Sequence, residues 1–288
     1  MPGVAGVSGQ SPRQLRDYSA LAYPLTLLLA FFVVPFAIML LVSFFHRVPG
    51  GFYEAAFDLS NYGRLLSPFF FRILGFSLGL AAAVALLCTL IGFPFTYLLT
   101  RLARRWQVLW LVFILAVLSL SEVIIGFAWS TLLSRTAGVS NLLVWLGLFE
   151  QPASWTPGIA ALLLGLCYLA LPYTVLVLYP TLARLDPQLP EAARMLGASP
   201  LRSFFTVTVP VQRNAILATL IMVFVFTLGA YLLPQLLGRP QHWTLSVHIT
   251  DQALYQSNLP FAAALAVFLL LVSLALIGIT LLLGRRTT

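Results

Sequence analysis

Asp186-Pro187-Gln188-Leu189-Pro190-Glu191-Ala192-Ala193-Arg194-Met195-Leu196-Gly197-Ala198-Ser199-Pro200 continues as Leu201-Arg202-Ser203-Phe204-Phe205-Thr206-Val207-Thr208-Val209-Pro210, a punctuated stretch between two long apolar runs. Pro190 suits the first turn of a helix, where its missing N–H costs nothing, and Glu191 beside it complements the positive end of the helix dipole. Ala192, Ala193 and Met195 favour helix. Gly197 is placed to end it, as glycine does at a C-terminal cap. Ser199 or Pro200 opens a second short helix, and Pro210 marks the turn into the next run. The stretch therefore predicts a helix-turn-helix elbow with a small-residue surface open to close docking.

The flanks decide where such an elbow sits. Of the 288 residues, 60% are hydrophobic and 8% charged, against roughly a quarter charged in a soluble domain. So few charges cannot make a water-facing surface, and the solvent is expected to be largely lipid. Runs of about 20 apolar residues cross a hydrocarbon core of about 30 Å. Six such runs are expected, over 18–45, 73–100, 106–134, 158–183, 214–237 and 259–283. Each satisfies its backbone internally only as a helix. Short alternating strands of a barrel do not fit these lengths, and six buried helices of a soluble core would leave almost no chain to cover them. The fold class is an all-α membrane protein of six transmembrane helices, with the elbow between the fourth and fifth. The expected organisation is a polar tail over 1–17, a six-helix membrane domain over 18–284 containing the loop 186–210, and a short end over 285–288.

The net charge of +8 comes from arginine, as the chain has no lysine. The arginines stand singly between apolar runs and form no continuous basic face, which argues against a nucleic-acid partner. They report topology instead. With the N-terminus inside, the inner segments hold Arg13, Arg16, Arg101, Arg104, Arg105, Arg184, Arg194, Arg202, Arg213, Arg285 and Arg286. The outer ones hold Arg47, Arg64, Arg72, Arg135 and Arg239. The bias places both termini and the elbow on the cytoplasmic side. The opening residues lack the order of a signal peptide. Of the outer segments, 141–150 is apolar, with Trp145 and Phe149, and is expected to form an interfacial helix. No internal repeat is visible, so the chain looks like one half of a larger assembly.

Glu191-Ala192-Ala193, three residues, Gly197, nine residues, then Val207, Val209 and Pro210 resemble the EAA loop of permease subunits in binding-protein-dependent ABC importers. That family more often has Ile and Leu where this chain has Val207 and Val209, which keeps the apolar character. The layout of spans extends the resemblance over almost the whole chain. It implies the type I importer permease fold in a bacterial inner membrane, with the elbow as a coupling helix. It also implies that Glu191, Ala192, Ala193, Gly197 and Pro210 serve docking to an ATPase. The partners it implies are a second permease subunit in a heterodimer, two copies of an ATP-binding subunit, an extracytoplasmic solute-binding protein and membrane lipid.

Catalytic motifs are not found. The chain has no Gly-x-x-x-x-Gly-Lys-Ser/Thr phosphate loop, so ATP hydrolysis is expected of a separate subunit, and no cofactor is expected. It has no His-Glu-x-x-His and no cysteine pairs at metal spacing. His46, His242 and His248 fall outside the expected spans and read as loop residues. Cys88 and Cys167 lie within apolar runs as small packing residues.

Glu122 is the only acid within an expected span. A charge at mid-membrane costs about 2.5–3.5 kcal/mol on insertion scales, so it must face a cavity or a partner. Contact with a cationic substrate, a place at the gate, and a structural hydrogen bond to another helix all remain open. Trp129 follows at i+7. Tyr168, Pro172 and Tyr173 put aromatic hydroxyls beside an expected kink. Thr227, Tyr231 and Gln235 recur at helical spacing in a polar stripe, which serves either helix packing or substrate contact. The stretch from Phe226 to Gly238 is similar to permeases of the polyamine-type subfamily, which usually have a second glycine where this chain has Arg239. That likeness implies a small nitrogen-containing solute. Sulfate, molybdate or thiamine importers, a secondary transporter and a membrane enzyme are the competing readings.

Overall fold

The computed structural model describes residues 24–48, 51, 53–136 and 138–285, with the backbone alone at 279, 281 and 283–285. The expected tail over 1–17, the opening of the first span over 18–23, and Arg13, Arg16 and Arg286 lie outside these residues. The helices are α1 (Pro24–Val42), α2 (Ser60–Leu65), α3 (Pro68–Arg101), α4 (Arg104–Leu118), α5 (Glu122–Leu132), α6 (Val139–Trp145) and α7 (Ile159–Ala183). They continue as α8 (Gln188–Met195), α9 (Pro200–Val211), α10 (Arg213–Gly229), α11 (Leu232–Leu237), α12 (Leu245–Thr250) and α13 (Leu259–Arg285). Among the described residues β-structure is confined to single bridges, His46 with Glu54 and Leu133 with Gly138.

Four helices are long and apolar enough to cross a membrane: α1, α3, α7 and α13 over Leu259–Gly278. Two more spans arise if each bent pair counts as one, α4 with α5 at 92° and α9 with α10 at 72°. Two expected spans, the third and the fifth, are not single helices. The third breaks at Ser119–Ser121, where the Ser119 hydroxyl donates to the Leu115 carbonyl at 3.0 Å and Ser121 is extended. Serine competes for backbone groups in this way and ends helices. The fifth breaks at Ala230 and Tyr231, leaving α11 as a separate short helix. Pro234 has no N–H to give the Ala230 carbonyl, and its ring crowds that carbonyl. The second span starts earlier than expected, because Pro68 at the first helical position is pre-set for helix. The helix expected over 141–150 is the shorter α6, with Trp145 80% exposed at its end.

Helices α3, α7 and α10 form the core. Leu80, Val84, Ala85 and Cys88 from α3 meet Leu162, Leu166 and Ala170 from α7 and Val223 from α10. Between membrane helices no water is expelled, so association depends on close packing and small residues. At Gly92 a Cβ would lie 2.6 Å from Thr174 Cγ2, so only glycine admits this approach. Cys88 and Cys167 are free thiols, and the Cys88 Sγ–H points to the Cys167 carbonyl at 3.7 Å, as small packing residues should. The outward faces carry exposed Leu86, Leu90, Phe113 and Leu271, a surface suited to lipid.

Two π-turns have a common cause. In α1 the Val34 N–H bonds to the Leu29 carbonyl, and in α9 the Val209 N–H bonds to the Phe204 carbonyl. Each wide turn immediately precedes a proline, Pro35 and Pro210, which cannot continue the regular ladder.

Candidate functional site

The elbow forms as its residues require. The Asp186 carboxylate accepts from the Gln188 N–H at 2.9 Å, an Asx turn that leads the chain into α8. Gly197 has φ +88°. Its N–H bonds to the Arg194 carbonyl and the Ala198 N–H to the Ala193 carbonyl, both at 3.0 Å. This is the Schellman arrangement. A Cβ at Gly197 would touch nothing within 4 Å, so backbone conformation alone selects glycine. The Ser199 hydroxyl accepts from the Arg202 N–H at 3.3 Å and opens α9, with Pro200 in its first turn. The Ser203 hydroxyl donates to the Pro190 carbonyl at 2.9 Å and ties the two helices together.

The outer surface of the elbow is bare. Glu191, Ala192, Arg194, Gly197 and Pro210 are exposed and Ala193 is half-buried. Met195 is 89% and Leu196 90% exposed, side by side at the turn. The inner surface is anchored. Phe204 packs on Phe93 at 5.6 Å and Tyr97 at 5.1 Å of α3, ring centre to ring centre. The Gln212 amide at the α9–α10 corner reaches the Thr181 carbonyl of α7 at 3.4 Å. The elbow is thus joined to three core helices, α3, α7 and α10.

The expected pathway residues do not gather at one place. Glu122 is the first residue of α5, where a carboxylate complements the helix dipole. Its carboxyl faces the Leu233 backbone N–H in the first turn of α11, and Oε1 is buried without a hydrogen-bond partner. Helices α5 and α11 touch because Gly126 lacks a Cβ, which would lie 2.7 Å from Leu236 Cδ1. Trp129 packs edge-on to Tyr168 at 5.7 Å and lines a cavity of about 290 Å³ with Ile124, Ala128 and Leu132. Tyr173 packs on Phe226 at 4.8 Å. The Thr227 hydroxyl donates to the Val223 carbonyl of its own helix at 2.8 Å. Tyr231 stands in the α10–α11 break, 41% exposed. Gln235 lines a different cavity, about 320 Å³, with Trp243, Val247, Asp251 and Tyr255. Trp243, Asp251 and Tyr255 are not among the candidate residues that the sequence singles out.

Residues 92–288 match the model of the family described as binding-protein-dependent transport system inner membrane component. The chain is 31% identical over 247 residues to the spermidine/putrescine transport system permease protein PotB of Escherichia coli, covering 85% of this chain and 89% of that one. It is 28% identical to PotB of Haemophilus influenzae, over 83% of this chain and 84% of that one. A crystal structure of a bacterial alginate ABC transporter, in complex with an alginate pentasaccharide-bound periplasmic protein, superposes with a TM-score of 0.78 at 18% identity, covering 96% of each chain. The family match covers the elbow, α7, α10 and the cavity segment, and the chain belongs to the inner-membrane components of binding-protein-dependent transport systems, as a permease subunit of an ABC importer.

Proposed function

We propose that the chain forms half of the translocation pathway for a polyamine or a related small nitrogen-containing solute, handed over by an extracytoplasmic binding protein. The observation that carries the cargo is the 31% identity to a spermidine/putrescine permease over 85% of the chain. The other half of the pathway is a second permease subunit, in a heterodimer. Both termini and the elbow face the cytoplasm, the orientation favoured by the arginine distribution. Two ATP-binding subunits supply the force.

The elbow receives that force through Glu191, Ala192, Ala193, Gly197 and Pro210, with Met195 and Leu196 as its apolar tip. Exposed apolar side chains at a turn are costly in water and suited to a protein groove. Closure of the ATPase pair would rotate the elbow, and Phe204 and Gln212 would carry the rotation into the core. Trp129, Tyr231 and Gln235 border the pathway and Glu122 stands behind them at the α5–α11 junction. Tyr173 and Thr227 support the packing of α7 against α10.

The test is uptake of labelled spermidine and putrescine into proteoliposomes holding the complete complex, with ATP on the nucleotide-binding side and the binding protein on the other. Uptake that requires both ATP and binding protein supports the reading. ATP-driven uptake of a different solute class with no polyamine uptake refutes the cargo, and uptake without ATP refutes the coupling.

A further inference from the structure

The cavity beside Gln235 has a composition that the packing of the bundle does not require. Trp243, Val247, Asp251 and Tyr255 recur every four residues along one side of the segment containing α12, and Gln235 closes the cavity from α11. An α-helix drifts by about 40° over four residues, which would carry Tyr255 off this line. A π-turn over Asp251–Tyr255, with the Gln256 N–H bonded to the Asp251 carbonyl, widens the helix there and holds Tyr255 beside Asp251. The π-turns of α1 and α9 are explained by the prolines after them. This one is followed by Gln256 and Ser257. Single π-turns within helices are frequent at functional sites.

The groups around the cavity are held in place. His248 stacks edge-on against Trp243 and against Phe69, each at 5.9 Å, and so positions the indole. Burial pushes the His248 imidazole below its ordinary range, against the weaker opposing pull of Asp251. Burial thus disfavours the imidazolium that would offset the Asp251 charge. Among the described residues no hydrogen bond or ion pair engages the Asp251 carboxylate. Arg47 spends its guanidinium on the Gln256 carbonyl at 2.6 Å, which anchors the end of the π-turn.

We propose that this cavity is an amine-binding site of the pathway, in which the Asp251 carboxylate pairs with an ammonium group between the π faces of Trp243 and Tyr255. The Gln235 side-chain carbonyl accepts a further N–H. A carboxylate flanked by aromatic rings is the chemistry that recognises organic ammonium ions, and the volume of about 320 Å³ suits one end of a small flexible amine. The site stands at the far end of α10 from the elbow. The Ser246 hydroxyl, in α12, donates to the Leu228 carbonyl in the last turn of α10. A shift of α10 driven from the elbow would therefore move α12 and change the cavity. This inference rests on the reading of the cargo as an amine.

The test compares wild type, Asp251→Asn, Asp251→Glu, Trp243→Ala and Trp243→Phe in the complete complex, reconstituted in equal assembled amounts with binding protein and ATP. The readout is spermidine uptake against the concentration of loaded binding protein. Asp251→Asn and Trp243→Ala are expected to lower uptake at limiting loaded binding protein by about tenfold or more. Asp251→Glu and Trp243→Phe should recover most of it, since the charge and the ring survive. Uptake by Asp251→Asn within about twofold of wild type, in a complex whose wild type transports spermidine, overturns the site. A wild-type complex that transports no polyamine overturns the cargo reading instead, so the two failures are distinct.

Discussion

The Ser203 hydroxyl donates to the Pro190 carbonyl across 2.9 Å, joining α8 to α9 inside the elbow. Both residues are buried, so no water takes over this bond when it is lost. Ser203→Ala removes this tie from a carbonyl inside α8, a net cost of about 1 kcal/mol. The expected outcome is a loosened elbow on an intact bundle. Hydrogen exchange over 188–203 should quicken by about fivefold on that cost, at roughly 1.4 kcal/mol per decade, while exchange in α3 and α7 is unchanged.

Glu122 tests the α5–α11 junction. Glu122→Gln keeps an oxygen for the Leu233 N–H and should leave the thermal unfolding of the purified complex nearly unchanged. Glu122→Lys turns a cation against the N-terminus of α5, reversing a dipole interaction of up to about 2 kcal/mol. A clear loss of thermal stability for Lys and little for Gln is expected. Equal effects of the two would mean that charge at this position does not matter to the fold.

Gly126 sets the distance between the same two helices. In Gly126→Ala the new methyl would lie 2.7 Å from Leu236 Cδ1 and 3.4 Å from Leu233 Cδ2. Overpacking of this kind costs about 1–3 kcal/mol. Shortening the opposed side chain should relieve it, so the Gly126→Ala, Leu236→Ala double variant should unfold at a higher temperature than Gly126→Ala alone.

The loop between α1 and α3 should respond to acid. Asp58 is held at about 2, below its ordinary 3.8, first by the Ser60 N–H, then by the Ser60 hydroxyl and His46. A carboxyl depressed in the folded state contributes its stabilisation above the unfolded value and loses it as pH falls through the folded one. Protection of the Ser60 amide, corrected for intrinsic exchange, should hold down to about pH 4 and fall toward pH 2. In Asp58→Asn that pH dependence should disappear.

The spans were legible because charge-free runs of that length have few alternatives in lipid. The elbow was legible because Pro190, Gly197, Ser199 and Pro200 each perform a backbone task that few residues can. The breaks were hidden by apolar composition that runs straight through them. Ser121 before Glu122 is a helix-start signal, and Pro234 marks a lost bond four residues earlier, yet both lie inside the apolar runs 106–134 and 214–237. The cavity had no sequence signature at all. The alignment of Trp243, Asp251 and Tyr255 depends on a π-turn without a proline, and Gln235 joins them only because α11 separates from α10. The polar stripe of Thr227, Tyr231 and Gln235 assumed one continuous helix, and the break at Ala230 and Tyr231 dissolves that stripe.

The central claim is that the elbow is the surface on which the ATPase pushes. A single cysteine at Ala192, in a chain whose Cys88 and Cys167 are replaced by Ala and Ser, can be paired with cysteines in the groove of the co-assembled ATP-binding subunit. An oxidative cross-link at Ala192 whose yield changes with ATP, and none from a control cysteine at Ala103 in the α3–α4 turn, is the result this account predicts. A cross-link from Ala103 with none from Ala192, in a complex that still transports, would contradict it.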